Sequence, residues 1–185
     1  MSKSSSWIQT FTGKQFFLET AETIDIEDIA HSLSMTCRFN GHCTRFYSVA
    51  EHSIRVSDML SADLALWGLI HDAAEAYIGD IPSPIKRNLM YYAPNEYSTS
   101  IKTVEARIMR KISEKFGLRW PMPKEVTHAD LVMLATEKRD LMKQEPAPWL
   151  PLPDPLEERI VVTMCPQEAK EKFLRLFRSF NKTYR

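Results

Sequence analysis

The sequence predicts an all-α globule of about six helices. Three observations carry this. Apolar residues recur at helical spacing in several segments, and helix-start signals stand at Asp25, Ser48 and Ser61. Long stretches are rich in helix formers, with five Gly against eleven Pro in 185 residues. Hydrophobic residues make up 44% and charged residues 26%, the range of a globular chain that buries a core.

Residues 1–6 read as a polar tail. Residues 7–18 carry Trp7, Ile8, Phe11, Phe16, Phe17 and Leu18 around Gly13, a pattern open to a short hairpin or an irregular apolar lid. Asp25 is a good N-cap. Glu27 and Asp28 suit the positive end of a helix whose Ile26, Ile29 and Leu33 share one face and which fades at Arg38–Gly41. Residues 38–47 form a loop dense in Arg and aromatic groups. Ser48 and Glu51 make a capping-box pattern, so a second helix starts there with His52 in or just past its first turn.

Ser61 is read as the cap of a third helix, ADLALWGLIHDAAEAYI, apolar nearly all round and therefore central. Gly79 ends it, and Pro82 and Pro84 make the following segment irregular. Over 95–116, Tyr97, Ile101, Val104, Ile108, Ile112 and Phe116 form one stripe closed by Gly117. Trp120-Pro-Met-Pro is a turn. A fifth helix runs over about 124–143, with Val126, Met133, Leu134 and Leu141 inward. Residues 145–155 hold five prolines and predict an extended surface loop or a rigid linker. Pro166 suits position N1 of a last helix over 166–182, with Ala169, Phe173, Leu176 and Phe180 inward. The expected organisation is an N-terminal tail and lid segment, 1–25, followed by one domain, 26–185. No internal repeat is visible.

Several functional classes are disfavoured. Lys+Arg and Asp+Glu are both 24, so the net charge is zero and bulk electrostatic attraction to nucleic acid is not expected. No apolar run approaches the ~20 residues of a membrane span, and the polar start MSKSSSW is not a signal peptide, so a cytoplasmic protein is expected. Three Cys with no CxxC argue against a disulfide framework and against a Cys-based zinc site. Residues 19–30 are acidic and 166–185 basic; both are read as solvated faces.

The chemistry-bearing set lies in the third helix. His71, Asp72 and Glu75 follow the apolar run Leu66, Trp67, Leu69, Ile70. An imidazole and two carboxylates in such surroundings carry a desolvation cost that pairing or a divalent cation relieves. A short connection packs the second helix antiparallel to the third, which can place His52 opposite His71. Asp130 interrupts the apolar side of the fifth helix. Two His and two Asp make a mixed N/O site for Co, Zn, Mn, Ni, Fe or, less well, Mg. Each signal alone is weak. His31, His42 and His128 read as surface or hydrogen-bonded residues, with His128 close enough to Asp130 in sequence to serve the site.

Taken together, His52 … His71-Asp72 … Asp130 resembles the H…HD…D signature of HD-domain metal phosphohydrolases. HSIRVS after His52 and HDAAEAYIGDIPSPIK from His71 resemble blocks of small HD-domain 5'-deoxynucleotidases and of short phage HD phosphohydrolases. These include the dATP triphosphohydrolases of phages that replace adenine by 2-aminoadenine. The resemblance covers about residues 26–142. It implies an HD-type helical globule in which His52, His71, Asp72 and Asp130 hold the metal and Glu75 and Asp80 orient or deprotonate the attacking water. It further implies that Arg38 binds phosphate, that Lys86 lies near the scissile phosphate and that Phe39 packs on the nucleotide. Arg45 has a counterpart either as a phosphate ligand or as a structural support. Pro84 is a candidate wall of the base pocket.

The implied partner is a small-molecule nucleotide, with no stable nucleic-acid or membrane binding and with homo-oligomers as in the family. Three readings stay open: a dATP triphosphohydrolase that depletes dATP in a phage nucleotide pool, a 5'-deoxynucleotidase acting on monophosphates, and a non-enzymatic metal-stabilised helical binding module. Plainer readings exist for single residues. Glu75 fits a hydrogen-bond network around His71, Asp80 a turn, Lys86 a solvated charge and Phe39 the core.

Overall fold

The computed structural model describes residues 7–92 and 98–181, and these are mostly helical. The expected tail, residues 1–6, and Tyr97 of the expected stripe lie outside the described residues. Among the described residues no helix is long and apolar enough to cross a membrane.

The helical globule is as expected, with two small two-stranded sheets added to it. Strands β1 (Trp7–Gln9) and β2 (Gln15–Phe17) pair antiparallel, which resolves residues 7–18 as a hairpin. The hairpin is tied down because the Thr12 amide and hydroxyl both donate to the buried Asp28 carboxylate, at 2.6 and 3.0 Å. Phe16 at its end is fully buried and stacks on Tyr77. A second small sheet joins β3 (Met90–Tyr91) to β4 (Thr99–Ser100).

Helix α1 (Ile26–Met35) starts as expected, with the Asp25 side chain accepting from the Glu27 amide. Helix α2 (Val49–Asp58) is capped by Ser48, whose hydroxyl accepts from the Glu51 amide. Only that half of the expected capping box forms. The buried Glu51 carboxylate pairs instead with Arg55 and accepts from the Met164 amide at 2.7 Å.

The expected single third helix is broken. Helix α3 begins at Ala65, not at Ser61, and ends at Ile70; α4 spans Glu75–Ile78. Between them the chain keeps right-handed backbone angles but tightens. Ala73, Glu75 and Tyr77 donate to the carbonyls three residues back, of Ile70, Asp72 and Ala74. Such 3-10 spacing stacks residues i and i+3, so Glu75 lies over Asp72. Gly79, at φ 80°, ends α4. The segment expected to be irregular contains a one-turn helix, α5 (Ser83–Lys86), because Pro84 falls in its first turn, where a missing N–H is harmless.

Helix α6 (Ile101–Lys115), within the expected stripe, is capped by Ser100. Helix α7 (Lys124–Leu141) and helix α8 (Pro166–Phe180) follow the expected faces, although Leu174 and Phe177, not Leu176 and Phe180, are the fully inward residues of α8.

The main core gathers Ile29, Leu33, Ile54, Leu69, Ile70, Ile108, Ile112, Phe173 and Phe177. A smaller core joins Tyr47, Val56, Ala129, Met133, Leu141 and Ile160, and so fixes the stretch just after the Pro-rich segment to α2 and α7. The acidic and basic runs are partly paired with each other. Arg178 and Lys170 of α8 both approach Glu27 of α1.

Helices α2 and α3 pack closely because residue 68 is Gly. A Cβ there would lie 2.9 Å from Ser57 Cα and 2.6 Å from Leu60 Cδ1. This close approach sets the distance between His52 and His71.

Candidate metal centre

His52, on α2, and His71, just past the end of α3, face each other with their Nε2 atoms 3.2 Å apart. The opposite nitrogen of each ring is committed. His52 Nδ1 lies 2.6 Å from Glu137 Oε1, and His71 Nδ1 lies 2.7 Å from the Gly68 carbonyl. Both partners are acceptors, so both Nδ1 atoms carry a proton, and in the neutral rings both Nε2 atoms present lone pairs. Two lone pairs at this distance repel unless a proton or a cation lies between them.

Asp72 Oδ2 completes the group, 3.3 Å from His71 Nε2 and 3.6 Å from His52 Nε2. The three ligand atoms lie within 4.8 Å of one another and form a group able to hold a metal ion. Asp130 Oδ1 on α7 approaches the same imidazoles, at 3.1 Å from His52 and 3.8 Å from His71. A cation about 2.1 Å from each donor sets donor–donor edges of about 3.0 Å in octahedral and about 3.4 Å in tetrahedral geometry. The observed separations, from 3.1 to 3.8 Å, lie close to those edges or a few tenths of an ångström above them, and two imidazoles with carboxylates suit a first-row divalent ion. The donors fit a metal.

The site is sealed on one side. The His52 and His71 side chains are 0% and 2% exposed, whereas those of Asp72 and Asp130 are 21% and 33% exposed. The carboxylate side is therefore the way in. Electrostatics follow the same division. Burial lowers the basicity of both imidazoles, but the neighbouring carboxylates outweigh it and raise both pKa values. Burial raises Asp72 and Asp130, and the imidazoles overcome it, so both carboxyls titrate below their ordinary range.

Around these donors stand the other expected residues. Arg38 is buried. Its Nε donates to Glu137 at 3.2 Å and its Nη1 to Asp72 at 3.4 Å, and Nη2 makes no hydrogen bond among the described residues. Burial opposes its charge, but Glu137 and Asp72 more than offset this and raise its pKa. Phe39 is half-buried, with the Arg38 guanidinium 5.3 Å from its ring centroid. Its amide donates to Asp80 at 3.3 Å.

Glu75 is buried. Its Oε1 accepts from Lys86 Nζ at 3.2 Å, and its Oε2 has no partner among the described residues. Burial first, then Asp72 and Asp80, push its pKa well up. Lys86 is also bound to Glu105 on α6 at 2.7 Å, so it is an ion-paired group and not a solvated charge.

Three expected residues are not brought to the donors. Arg45 is exposed and donates to the Val161 carbonyl. Pro84 is exposed on α5. His128 is exposed, so adjacency in sequence to Asp130 does not place it at the site. His31 stacks on Phe11 at the hairpin.

Two residues escaped the sequence. Glu137 lies seven positions, about two turns, beyond Asp130 on the same helix face, and that spacing was the available signal. Glu105 sits in an otherwise ordinary amphipathic helix, and nothing local marks it.

No protein-family model matches the chain. It is 42% identical over 176 residues to the uncharacterized protein YfdR of Escherichia coli K12, covering 93% of this chain and 94% of that protein. It is 30% identical over 135 residues to an uncharacterized protein of Rhodobacter capsulatus, covering 67% of this chain and 65% of the relative. Neither description names an activity.

Proposed function

This chain belongs to the family of YfdR, and within that family we propose that it is a metal-dependent phosphohydrolase of deoxynucleotides, with dATP as its first candidate substrate. The products would be deoxyadenosine and triphosphate. The observation that carries the proposal is the pair of imidazole Nε2 atoms facing each other 3.2 Å apart with both Nδ1 protons committed. The resemblance of the H…HD…D order to the HD phosphohydrolases supports the reaction class.

His52, His71, Asp72 and Asp130 would hold a divalent cation. When bound, such a cation supplies Lewis acidity toward phosphoryl oxygens and lowers the pKa of a coordinated water.

The chain's own residues do the rest. Arg38, fixed by Glu137 and Asp72, offers Nη2 to a phosphate oxygen. Glu75 offers Oε2 as the proton acceptor. Burial, Asp72 and Asp80 raise its pKa and so strengthen it as a proton acceptor, and Lys86 opposes that rise. Asp80 holds the Phe39 amide and with it the loop that carries Arg38.

Product analysis tests this. Protein loaded in turn with Mn²⁺, Co²⁺ or Zn²⁺ is incubated with each of the four dNTPs and four dNMPs. Deoxyadenosine and triphosphate from dATP are expected. Phosphate from monophosphates alone would replace the proposal with a 5'-nucleotidase. Equal turnover of dGTP would remove the dATP selectivity. No turnover at all with metal bound would favour a binding module.

A further inference from the structure

Glu137 is the most deeply buried charge beside the donors, with a fully inaccessible side chain, and neither of its oxygens is idle. Oε1 accepts from His52 Nδ1 at 2.6 Å and Oε2 from Arg38 Nε at 3.2 Å. The Arg38 guanidinium in turn reaches Asp72 at 3.4 Å. One carboxylate thus spans from a metal-ligand imidazole to the one buried arginine at the site. Its third neighbour is Tyr47, fully buried, whose hydroxyl pKa is raised by burial and then by the charge of Glu137.

We propose that Glu137 is a positioning residue that fixes His52 as an Nε2 donor and holds Arg38 at the carboxylate side, coupling cation binding to binding of a phosphoryl anion.

The chemistry is specific to a carboxylate. A protonated Nδ1 and a protonated Nε both need acceptors, and Glu137 supplies one oxygen to each. A glutamine has the same shape but one acceptor and one donor. If its oxygen faces His52, its NH2 opposes the Arg38 Nε–H. If its oxygen faces Arg38, its NH2 needs an acceptor at His52 Nδ1. The imidazole proton then moves to Nε2, the atom that must ligate. Either way one half of the coupling is lost in a side chain of nearly unchanged volume. Outer-shell partners of ligating imidazoles are worth about 10–100-fold in metal affinity when lost. The anion half of the inference rests on the phosphohydrolase reading; the imidazole half does not.

The test uses the full chain carrying Glu137→Gln or Arg38→Ala. The first readout needs no metal: ¹⁵N NMR of the histidine rings at alkaline pH, where the neutral tautomers are resolved. Wild type is expected to show His52 protonated at Nδ1, and Glu137→Gln a shift toward the Nε2–H form or a mixture. The second is Zn²⁺ affinity by chelator competition. Glu137→Gln is expected to weaken it about 10–100-fold, and Arg38→Ala to change it far less. The third is the affinity of the metal-loaded protein for inorganic phosphate, which both variants are expected to reduce.

A lowered melting temperature with an unchanged His52 tautomer and unchanged Zn²⁺ affinity would make Glu137 merely structural and overturn the proposal. A shifted tautomer and weakened Zn²⁺ binding with phosphate affinity intact would overturn the coupling to the anion. If wild type hydrolyses no nucleotide, the proposed function fails, while the tautomer and Zn²⁺ results still decide the role of Glu137.

Discussion

Replacing Gly68 by Ala is expected to damage the donor group from outside it. The new Cβ would lie 2.9 Å from Ser57 Cα and 3.1 Å from Ser57 N, both backbone atoms of α2. The third contact, 2.6 Å to Leu60 Cδ1, is with a side-chain tip that can rotate away. Carbon atoms pack best at about 3.5–4.0 Å, so α3 must retreat from α2 by about 0.6 Å. His71 is tied to the Gly68 carbonyl and moves with α3, whereas His52 sits on α2. The Nε2–Nε2 edge of 3.2 Å therefore opens toward about 3.8 Å, away from the edges of about 3.0–3.4 Å that a first-row ion sets at normal bond lengths.

Overpacking of this kind costs about 1–3 kcal/mol. For a chain of this length that is roughly 2–12 °C in melting temperature. Metal affinity should fall about tenfold or more, as when the support of a ligand is disturbed. Thermal melts with and without Zn²⁺, together with chelator competition, measure both effects. A Gly68→Ala protein with wild-type Tm and wild-type Zn²⁺ affinity would refute the reasoning, because it would show that the helix spacing does not set the donor spacing.

Other expectations follow from the same geometry. Asp72→Ala should lose bound metal and turnover together, while Glu75→Gln should keep the metal and lose rate. Metal content and kcat of the two variants check this, and loss of metal in Glu75→Gln would make Glu75 a ligand. Asp140 is held below its ordinary value by Arg139, against the opposing effect of burial, and by the Ile160 amide. Its stabilisation is therefore complete above the unfolded value near 3.8 and is lost as pH falls through the lower folded value. Asp140→Asn should flatten the acid-side fall in stability below about pH 3.8, read by denaturant melts across that range. Asn40, at φ 51°, should accept Gly with no loss of Tm, whereas Asn40→Val should lose about 1–3 kcal/mol in a denaturant melt.

Parts of this molecule announce themselves locally. Asp25 and Ser48 cap helices because a short acceptor just before an apolar period satisfies the free amides of the first turn, and the structure places both there. Gly79 and Gly117 end helices at positive φ for an equally local reason. His71 and Asp72 were legible because polar residues inside an apolar run need a partner, and His52 through the short connection between its helix and theirs and through the H…HD order. The break at His71–Ala74 was not, since Ala73 and Ala74 are good helix formers and the tightening is a matter of tertiary packing. The Arg45 strut to Val161 and the Glu105 bond to Lys86 join positions far apart in sequence, and no local period encodes them.

The loop at Arg38 shows how much the fold gives up to build this region. Phe39 and Asn40 have φ of 55° and 51°, and Gly41 follows at 78°. Left-handed backbone costs roughly 1–2 kcal/mol for each residue that carries a Cβ. The turn is held because the Phe39 amide donates to Asp80, the His42 amide donates to the Phe39 carbonyl, and the Arg38 amide donates to Tyr47. A right-handed turn would satisfy local preference. This one aims the Arg38 side chain into the buried space between Glu137 and Asp72 while bringing the next amide onto Asp80. Strain that persists only because three hydrogen bonds and a buried ion pair oppose it belongs to a site where the direction of one guanidinium matters. Loss of Asp80 would release the Phe39 amide and strain that turn first, while Glu137 and Asp72 still held the Arg38 side chain and His52 and His71 kept their partners on Glu137 and Gly68.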